Sequence, residues 1–319
     1  MKFYKNPILN IIPAILFILV VSLSCKDSST NGENHNRPPG YSNPYLGLPK
    51  PDSTALVFAP GFISTSAFEA GLIVDPNMKQ IYYMRFASLT ATPEIYTTLE
   101  LENGWIQPSR IFAGTYYDVL SAISSDGNTL YFYSDRPTQY GSGNILNHSD
   151  IWTMERGVSG WGAMQNLGPT INSSIREMSP SVCQNKTMYF HKSDGNFLNQ
   201  IYFSTFTGGV YSTPVLLGNE INSSGDAHNP CIAPDESYLI FTSYKSGGFG
   251  NADLYISFKK PDGTWTQVKN MGAKVNSASQ DDYATISPDG KYLFFASDRN
   301  SAGMCDIFWI STSIIEKLK

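Results

Sequence analysis

Cysteine and histidine are the scarcest reactive side chains in this protein, with four of each among 319 residues. Cys25, Cys183, Cys231 and Cys305 include no CxxC pair, and beyond Cys25 an odd number remains, a poor disulfide framework and a poor zinc set. Those three read as small buried thiols. His35, His148, His191 and His228 show neither HxxxH nor HExxH spacing, so zinc hydrolysis has no support. GxSxG, GxGxxG and the D-x-D-x-DG calcium loop are all missing. The glycine-rich "SGGFGNADLY" (246–255) links two strands and is no phosphate cradle. Basic residues are outnumbered, 22 Lys and Arg against 27 Asp and Glu, which argues against nucleic acid. No metal and no cofactor is expected from this inventory.

Long apolar runs are also rare. One, Ile8 to Leu23, is broken only by Asn10, Pro13 and Ser22 and follows Lys2 and Lys5. It reads as a secretory signal rather than a fold element. Its end, "VSLSC", resembles a bacterial lipobox, with Ser22 where that motif usually has Leu and with Leu23 one place later. The resemblance implies cleavage before Cys25 and lipidation of that cysteine; an uncleaved membrane anchor is the alternative. Lys26 stands where an Asp would signal inner-membrane retention, so the expected location is the outer membrane, on its periplasmic or cell-surface face. The stretch that follows is polar and rich in Pro, Gly, Asn and Ser, too poor in apolar surface to fold. It reads as a flexible tether. The chain thus divides into a signal, 1–25, a tether, 26–53, and one fold, 54–319.

What is abundant is repetition. "ISSDGNTLYFYSDRP" (123–137) returns as "ISPDGKYLFFASDRN" (286–300). A β-branched residue three places before Asp or Asn recurs as Ile123–Asp126, Val182–Asn185, Ile232–Asp235 and Ile286–Asp289, with a degenerate copy at Ile73–Asp75. After each anchor come a turn rich in Asp, Asn or Gly and a continuously apolar run: "QIYYM", "TLYFY", "TMYF", "YLIF", "YLFF". Such runs suit strands covered on both faces. A Gly-rich loop and a third strand follow in every copy, and four copies add a fourth strand. Four strands in about 50 residues is the period of a propeller blade. The last copy stops after its third strand, while "TALVFAPGFIS" (54–64) precedes the first as an orphan fourth, with Ile63-Ser64 echoing "LGPTINS". The expected fold is all-β, a β-propeller of five four-stranded blades, its N-terminal strand closing the last blade and hiding the edges.

The segments "ISPDGKYLFFASDR", "ISSDGNTLYFYSDR" and "APDESYLIFTS", with the later "DIF", "DIW" and "DLY", resemble the WD-like repeat of TolB-type β-propellers over residues 54–319. The resemblance implies the fold and the binding of partner proteins. Many members have six blades where five are counted here. It is specific for fold and nearly silent on activity.

Three sets of residues are candidates for more than packing. Asp135, Arg136 and Asp150 recur as Asp298, Arg299 and Asp306, which suggests an Arg bridging carboxylates of adjacent strands as scaffold. Trp105, Trp161, Tyr211 and Trp265 recur at one blade position, as packing residues rather than a sugar platform. Glu69, Asp118, Glu177, His228, Asp281 and Asp282 precede or open the innermost strands. In one common register they would surround a channel mouth and draw in a cation or basic peptide. Capping of the strand entries in contact with water is the plainer alternative. Five-bladed glycosidases place carboxylates near this position, and two at suitable separation would serve as acid and base. A slip of one residue would turn such side chains to the opposite face. The functional expectation is a lipid-anchored, non-catalytic propeller for an envelope protein, peptide or glycan, with a carbohydrate-active enzyme as the alternative.

Overall fold

Each repeat folds into one antiparallel sheet, giving five blade sheets, and a separate two-stranded hairpin pairs Phe206–Thr207 with Val210–Tyr211. Blade 1 comprises Phe68–Val74, Gln80–Phe86, Glu94–Leu101 and Ser109–Phe112. Blade 2 comprises Val119–Ile123, Thr129–Ser134, Asp150–Gly157 and Gln165–Asn166. Blade 3 is Arg176–Val182, Met188–Ser193, Asn199–Ser204 and Val215–Leu216. Blade 4 is His228–Ile232, Tyr238–Ser243, Asp253–Phe258 and Lys269–Asn270. Blade 5 takes Asp281–Ile286, Tyr292–Ser297 and Asp306–Ser311 from the end of the chain and Leu56–Val57 from its beginning. Leu56 pairs with Trp309 and Val57 with Phe308, so the expected closure is present. The computed structural model describes residues 44–87, 91–112, 116–137, 149–194, 198–223, 226–301 and 303–319. Cys25 and the apolar run before it lie outside the described residues. Among the described residues no helix is long and apolar enough to cross a membrane.

The apolar runs become the second strands, and the reason they do not alternate is visible in their burial. Thr129–Ser134 and Tyr292–Ser297 are buried at every position because a neighbouring blade covers each face. Tyr82, Tyr83, Phe132, Phe190, Phe241, Phe294 and Phe295 are fully buried there. Each such side chain contributes roughly 2–3 kcal/mol of apolar burial.

The outer strands are short, and a side chain completes them. Asn172 accepts the Ile151 N–H at 2.8 Å and donates to the Ile151 carbonyl at 3.0 Å. Asn222 does the same for Ile201 and Asn276 for Leu254. In blade 5 Ser64 takes this place, accepting the Ile307 N–H at 3.1 Å. The "INS" echo is therefore a three-residue clasp: the Ile or Val is buried, the Asn extends the ladder, and the Ser turns to the next blade. The recurrent Asp or Asn makes the turn between first and second strands. Its Oδ1 accepts the N–H two residues on, as in Asp126 to Asn128 at 3.0 Å and Asn185 to Thr187 at 2.8 Å.

The turn aromatics pack between blades. Trp161 Nε1 donates to Tyr82 Oη at 3.1 Å, Tyr211 Oη to Tyr131 Oη at 3.2 Å, and Trp265 meets Tyr189 edge-on. Trp105 is buried in one cluster with Tyr292 and Phe294. Blades 1 to 4 thus each lay an aromatic against the blade before them in the ring.

One boundary differs from expectation. The tether was read as extending to residue 53, yet Tyr45 and Leu46 are buried against blade 5, and Asp52 accepts the Ser311 N–H. Two aromatic or aliphatic side chains in an otherwise polar stretch suffice to pin it down.

Candidate functional site

Neighbouring inner strands touch in a closed circle, so their starts gather at one end of the central channel and their ends at the other. The charged candidates all lie at the starting end.

Four of them are pins. Glu69 accepts from Arg85 Nε at 2.9 Å and from Thr65 Oγ1 and N at 2.6 and 3.1 Å. Glu177 meets Lys192 Nζ at 3.0 Å and accepts from the Ser173 hydroxyl and N–H. Asp281 accepts from Arg299 Nη2 at 2.5 Å and from Ser277 N and Oγ at 2.6 and 2.9 Å. Asp118 accepts from Arg136 Nη2 at 2.6 Å. Glu69, Glu177 and Asp281 are 0% exposed. Burial raises the pKa values of Glu69 and Glu177, and the hydrogen bonds from Thr65 or Ser173 and the nearby Arg85 or Lys192 oppose it. Glu69, Glu177 and Asp281 thus join the incoming loop to a cation on or just past the second strand, and Asp118 meets the equivalent cation. Arg136 and Arg299 do bridge strands, as the recurrent "SDR" suggested, but to Asp118 and Asp281. Asp298 and Asp135 instead accept the Gln280 and Tyr117 N–H groups, at 2.8 and 2.7 Å.

The other two belong to a different set. His228 stands opposite Thr242 and Asp282 opposite Ala296, one residue beyond the pinned position. Ala227 occupies the pinned position in blade 4. The assumed register was therefore off by one there, and His228 and Asp282 turn into the channel. Asp282 Oδ1 accepts from Asn229 Nδ2 at 2.8 Å, Thr242 Oγ1 at 2.5 Å and Tyr283 N at 2.6 Å. Ser179 donates to Asn229 Oδ1 at 2.6 Å, and the Asn229 N–H reaches His191 Nδ1 at 3.4 Å. His228 Nδ1 lies 3.2 Å from Asp226 Oδ1, off the line of a well-directed hydrogen bond. Burial lowers the His228 pKa, but the Asp226 and Asp282 carboxylates outweigh it and leave the pKa raised. Burial, with His228 alongside, lowers that of His191 to about 3.

Apolar groups complete this plug. Ala70, Met84, Val119, Tyr133 and Cys305 form one cluster, with Met178 and Tyr283 against it. Every inner strand bulges here, and Gly71, Ser179, Asn229 and Tyr283 adopt φ of 60, 52, 46 and 54°. At Gly71 an added Cβ would lie 2.5 Å from Met84 Cε, the flexible end of a side chain that can shift.

The opposite end is open. A cavity of ≈ 270 Å³ is lined by all five blades, through residues such as Ile73, Ile123, Val182, Ile232 and Ile286 and the prolines 76, 230, 234 and 288. No lining side chain carries a charge, and only the Cys231 thiol can ionise, with burial pushing it up to about 12. These positions lack the charge that marks the acidic candidates in the sequence. The signal was in plain view, as the β-branched anchors used to align the repeats are themselves the cavity wall. Among the described residues no three His, Cys, Asp or Glu side chains are grouped to hold a metal ion.

No protein-family model and no curated protein sequence matches this chain. Among solved structures, TolB from Acinetobacter baumannii is similar at 15% identity and a TM-score of 0.46, over 76% of this chain and 54% of that one. The chain thus spans about half the length of that protein. A putative TolB from Agrobacterium tumefaciens is similar at 18% identity and 0.46, over 73% and 71%. The α-L-arabinofuranosidase from Lactobacillus brevis is similar at 12% and 0.48, over 78% and 90%. These are likenesses of fold alone.

Proposed function

We propose that this chain is an envelope lipoprotein, anchored in the outer membrane through Cys25, whose propeller binds a partner without catalysis. The ligand site is the open end of the channel, and the partner is an envelope protein, peptide or glycan. The observation that carries this reading is the cavity wall: five blades contribute to it, and its one ionisable group is the Cys231 thiol, which burial keeps protonated at neutral pH. General acid–base chemistry needs a titratable group within hydrogen-bond reach of the reacting atoms. Binding needs shape, desolvation and a few polar groups. The carboxylates that glycan hydrolysis would use are held by Arg85, Arg136, Lys192 and Arg299, and none of them lines the cavity. That weighs against the enzyme alternative.

The test uses the full chain in detergent as bait for solubilised envelope extract, with captured proteins and glycans quantified by mass spectrometry. A second bait carries Ser125→Trp and Gln184→Trp, two exposed positions at the cavity rim. A species held by the native chain and lost from the double variant, at equal melting temperature, supports the reading. Equal capture by both baits overturns the site. Mass spectrometry of the N-terminal peptide tests the anchor, which requires an acylated Cys25.

A further inference from the structure

The five inner strands reach the open end at equivalent residues: Val74, Ile123, Val182, Ile232 and Ile286. In each case the N–H of the following residue is used inside its own blade. Asp75 donates to Gln80, Ser124 to Thr129, Cys183 to Thr187, Ala233 to Tyr238 and Ser287 to Tyr292. Peptide groups alternate in direction along a strand. The N–H and C=O of the five equivalent residues therefore point off the blade, toward the channel and the preceding blade.

In one blade the preceding blade supplies an acceptor, as the Ile232 N–H donates to Ser181 Oγ at 3.0 Å. At the position of Ser181, blades 1 and 2 carry Ile73 and Ala122, which have no acceptor. The N–H groups of Ile123 and Val182, on adjacent blades, face these side chains, because each residue stands in a non-hydrogen-bonded pair of its own ladder, opposite Leu130 and Met188, beside the bonded pairs Ser124–Thr129 and Cys183–Thr187. Both residues line the cavity and are half-buried. Sheltered backbone donors are nearly always paired in folded proteins.

We infer that the inner edges of blades 2 and 3 recognise the main chain of an extended, uncharged peptide segment entering the open end. The inference rests on the binding-module reading and names its ligand class. A strand residue presents a donor and an acceptor on one side, the complement of another peptide unit, as when an extended segment adds to a sheet edge. The absence of charge in the wall disfavours a charged side chain, which would lose water and gain no partner. No aromatic side chain lines the cavity to stack on a sugar ring, so the peptide is favoured over a glycan.

Amide hydrogen exchange at Ile123 and Val182, read by NMR on the full chain in detergent, tests this with two probes. One is the capped peptide acetyl-Ala-Val-Ser-Val-amide and the other is cellotetraose. The expected result is slowed exchange at both amides with the peptide and no change with the sugar. Ala122→Ser provides the second arm, giving blade 2 the hydroxyl that Ser181 gives blade 3. It should slow Val182 exchange with no probe added and weaken the peptide about fivefold, the worth of one hydrogen bond. Protection by cellotetraose in place of the peptide overturns the peptide assignment in favour of a glycan. Protection by neither probe, while the rim double variant still loses its envelope partner, overturns the recognition edge and leaves the binding module standing. If that partner is retained as well, both fall.

Discussion

The two ends of the channel are built from the same strands and differ in almost every physical respect. At the starting end, charged and polar groups are dense, buried and paired with one another. At the open end the wall is uncharged, the cavity is open, and peptide groups of the inner strands point off their blades. The contrast teaches that charge density is a poor guide to function in a repeat fold. Glu69, Asp118, Glu177 and Asp281 are concentrated where the strands must be tied to their loops, and pairing leaves them little with which to hold a ligand. Buried pairs of this kind matter most when one partner is removed, because the other is left uncompensated.

The sharpest way to break the comparison is therefore at the starting end. Asp281→Ala strands the Arg299 guanidinium and the Ser277 N–H. It should cost about 3–5 kcal/mol, or roughly 10 °C in melting temperature for a domain of this size. A change under about 1 kcal/mol by urea unfolding would mean that the pins are dispensable, and the charged end would again need a function. Next comes Tyr45, which ties the N-terminal segment to the open end by donating to Asp289 Oδ1 at 2.5 Å and packing on Tyr292 and Trp309. Tyr45→Ala should cost about 3 kcal/mol, and Tyr45→Phe only about 1 kcal/mol by losing the hydrogen bond. Equal losses for the two variants would assign the whole effect to the hydroxyl.

The buried histidines give a smaller effect with a defined sign. His191 has a folded pKa of about 3 against roughly 6.5 unfolded. The unfolded chain therefore takes up a proton that the fold refuses, and stability falls as pH drops from 6.5 toward 3. His228 works in the opposite sense, because its folded pKa is raised. Its contribution is complete below about 6.5 and is lost as pH rises through the folded value. His191→Asn should flatten the acid limb of a melting-temperature profile, while His228→Asn should cost most on the acid side of neutrality. Parallel profiles for wild type and both variants would remove the histidines from the account.

Much of the architecture was legible because repetition multiplies weak signals. A turn Asp, an apolar run and a clasping Asn each mean little once, and five aligned copies fix the blades, the closing strand and the places of the turn aromatics. The site was far less legible. The pins join residues 15 to 18 apart, and nothing local in "FEAG" announces that Glu69 will meet Arg85. The bulge at each inner strand then decides which of two consecutive residues enters the channel, and blade 4 shows the cost of missing it: His228 was aligned with acids whose true counterpart is Ala227. The tether boundary failed for a related reason, since two buried side chains outweigh the composition of the polar stretch around them.

The smallest expected effect is the most informative about the open end. Gln184 is exposed on the cavity rim, and its side chain makes no hydrogen bond among the described residues; only its backbone is engaged, donating to the Pro234 carbonyl at 2.9 Å. Gln184→Ala keeps that backbone bond and removes nothing the fold relies on, so unfolding free energy should move by less than about 0.5 kcal/mol. A rim that served only as scaffold would predict the same stability and no further consequence. The binding reading adds that capture of the envelope partner weakens by a fewfold at unchanged stability, because a polar rim group that orients a ligand is lost. A variant that melts normally and captures normally would place Gln184 outside the contact surface and confine recognition to the backbone edges of blades 2 and 3. One that loses both stability and capture would contradict the separation of the two channel ends, because the open end would then be carrying the fold as well as the ligand.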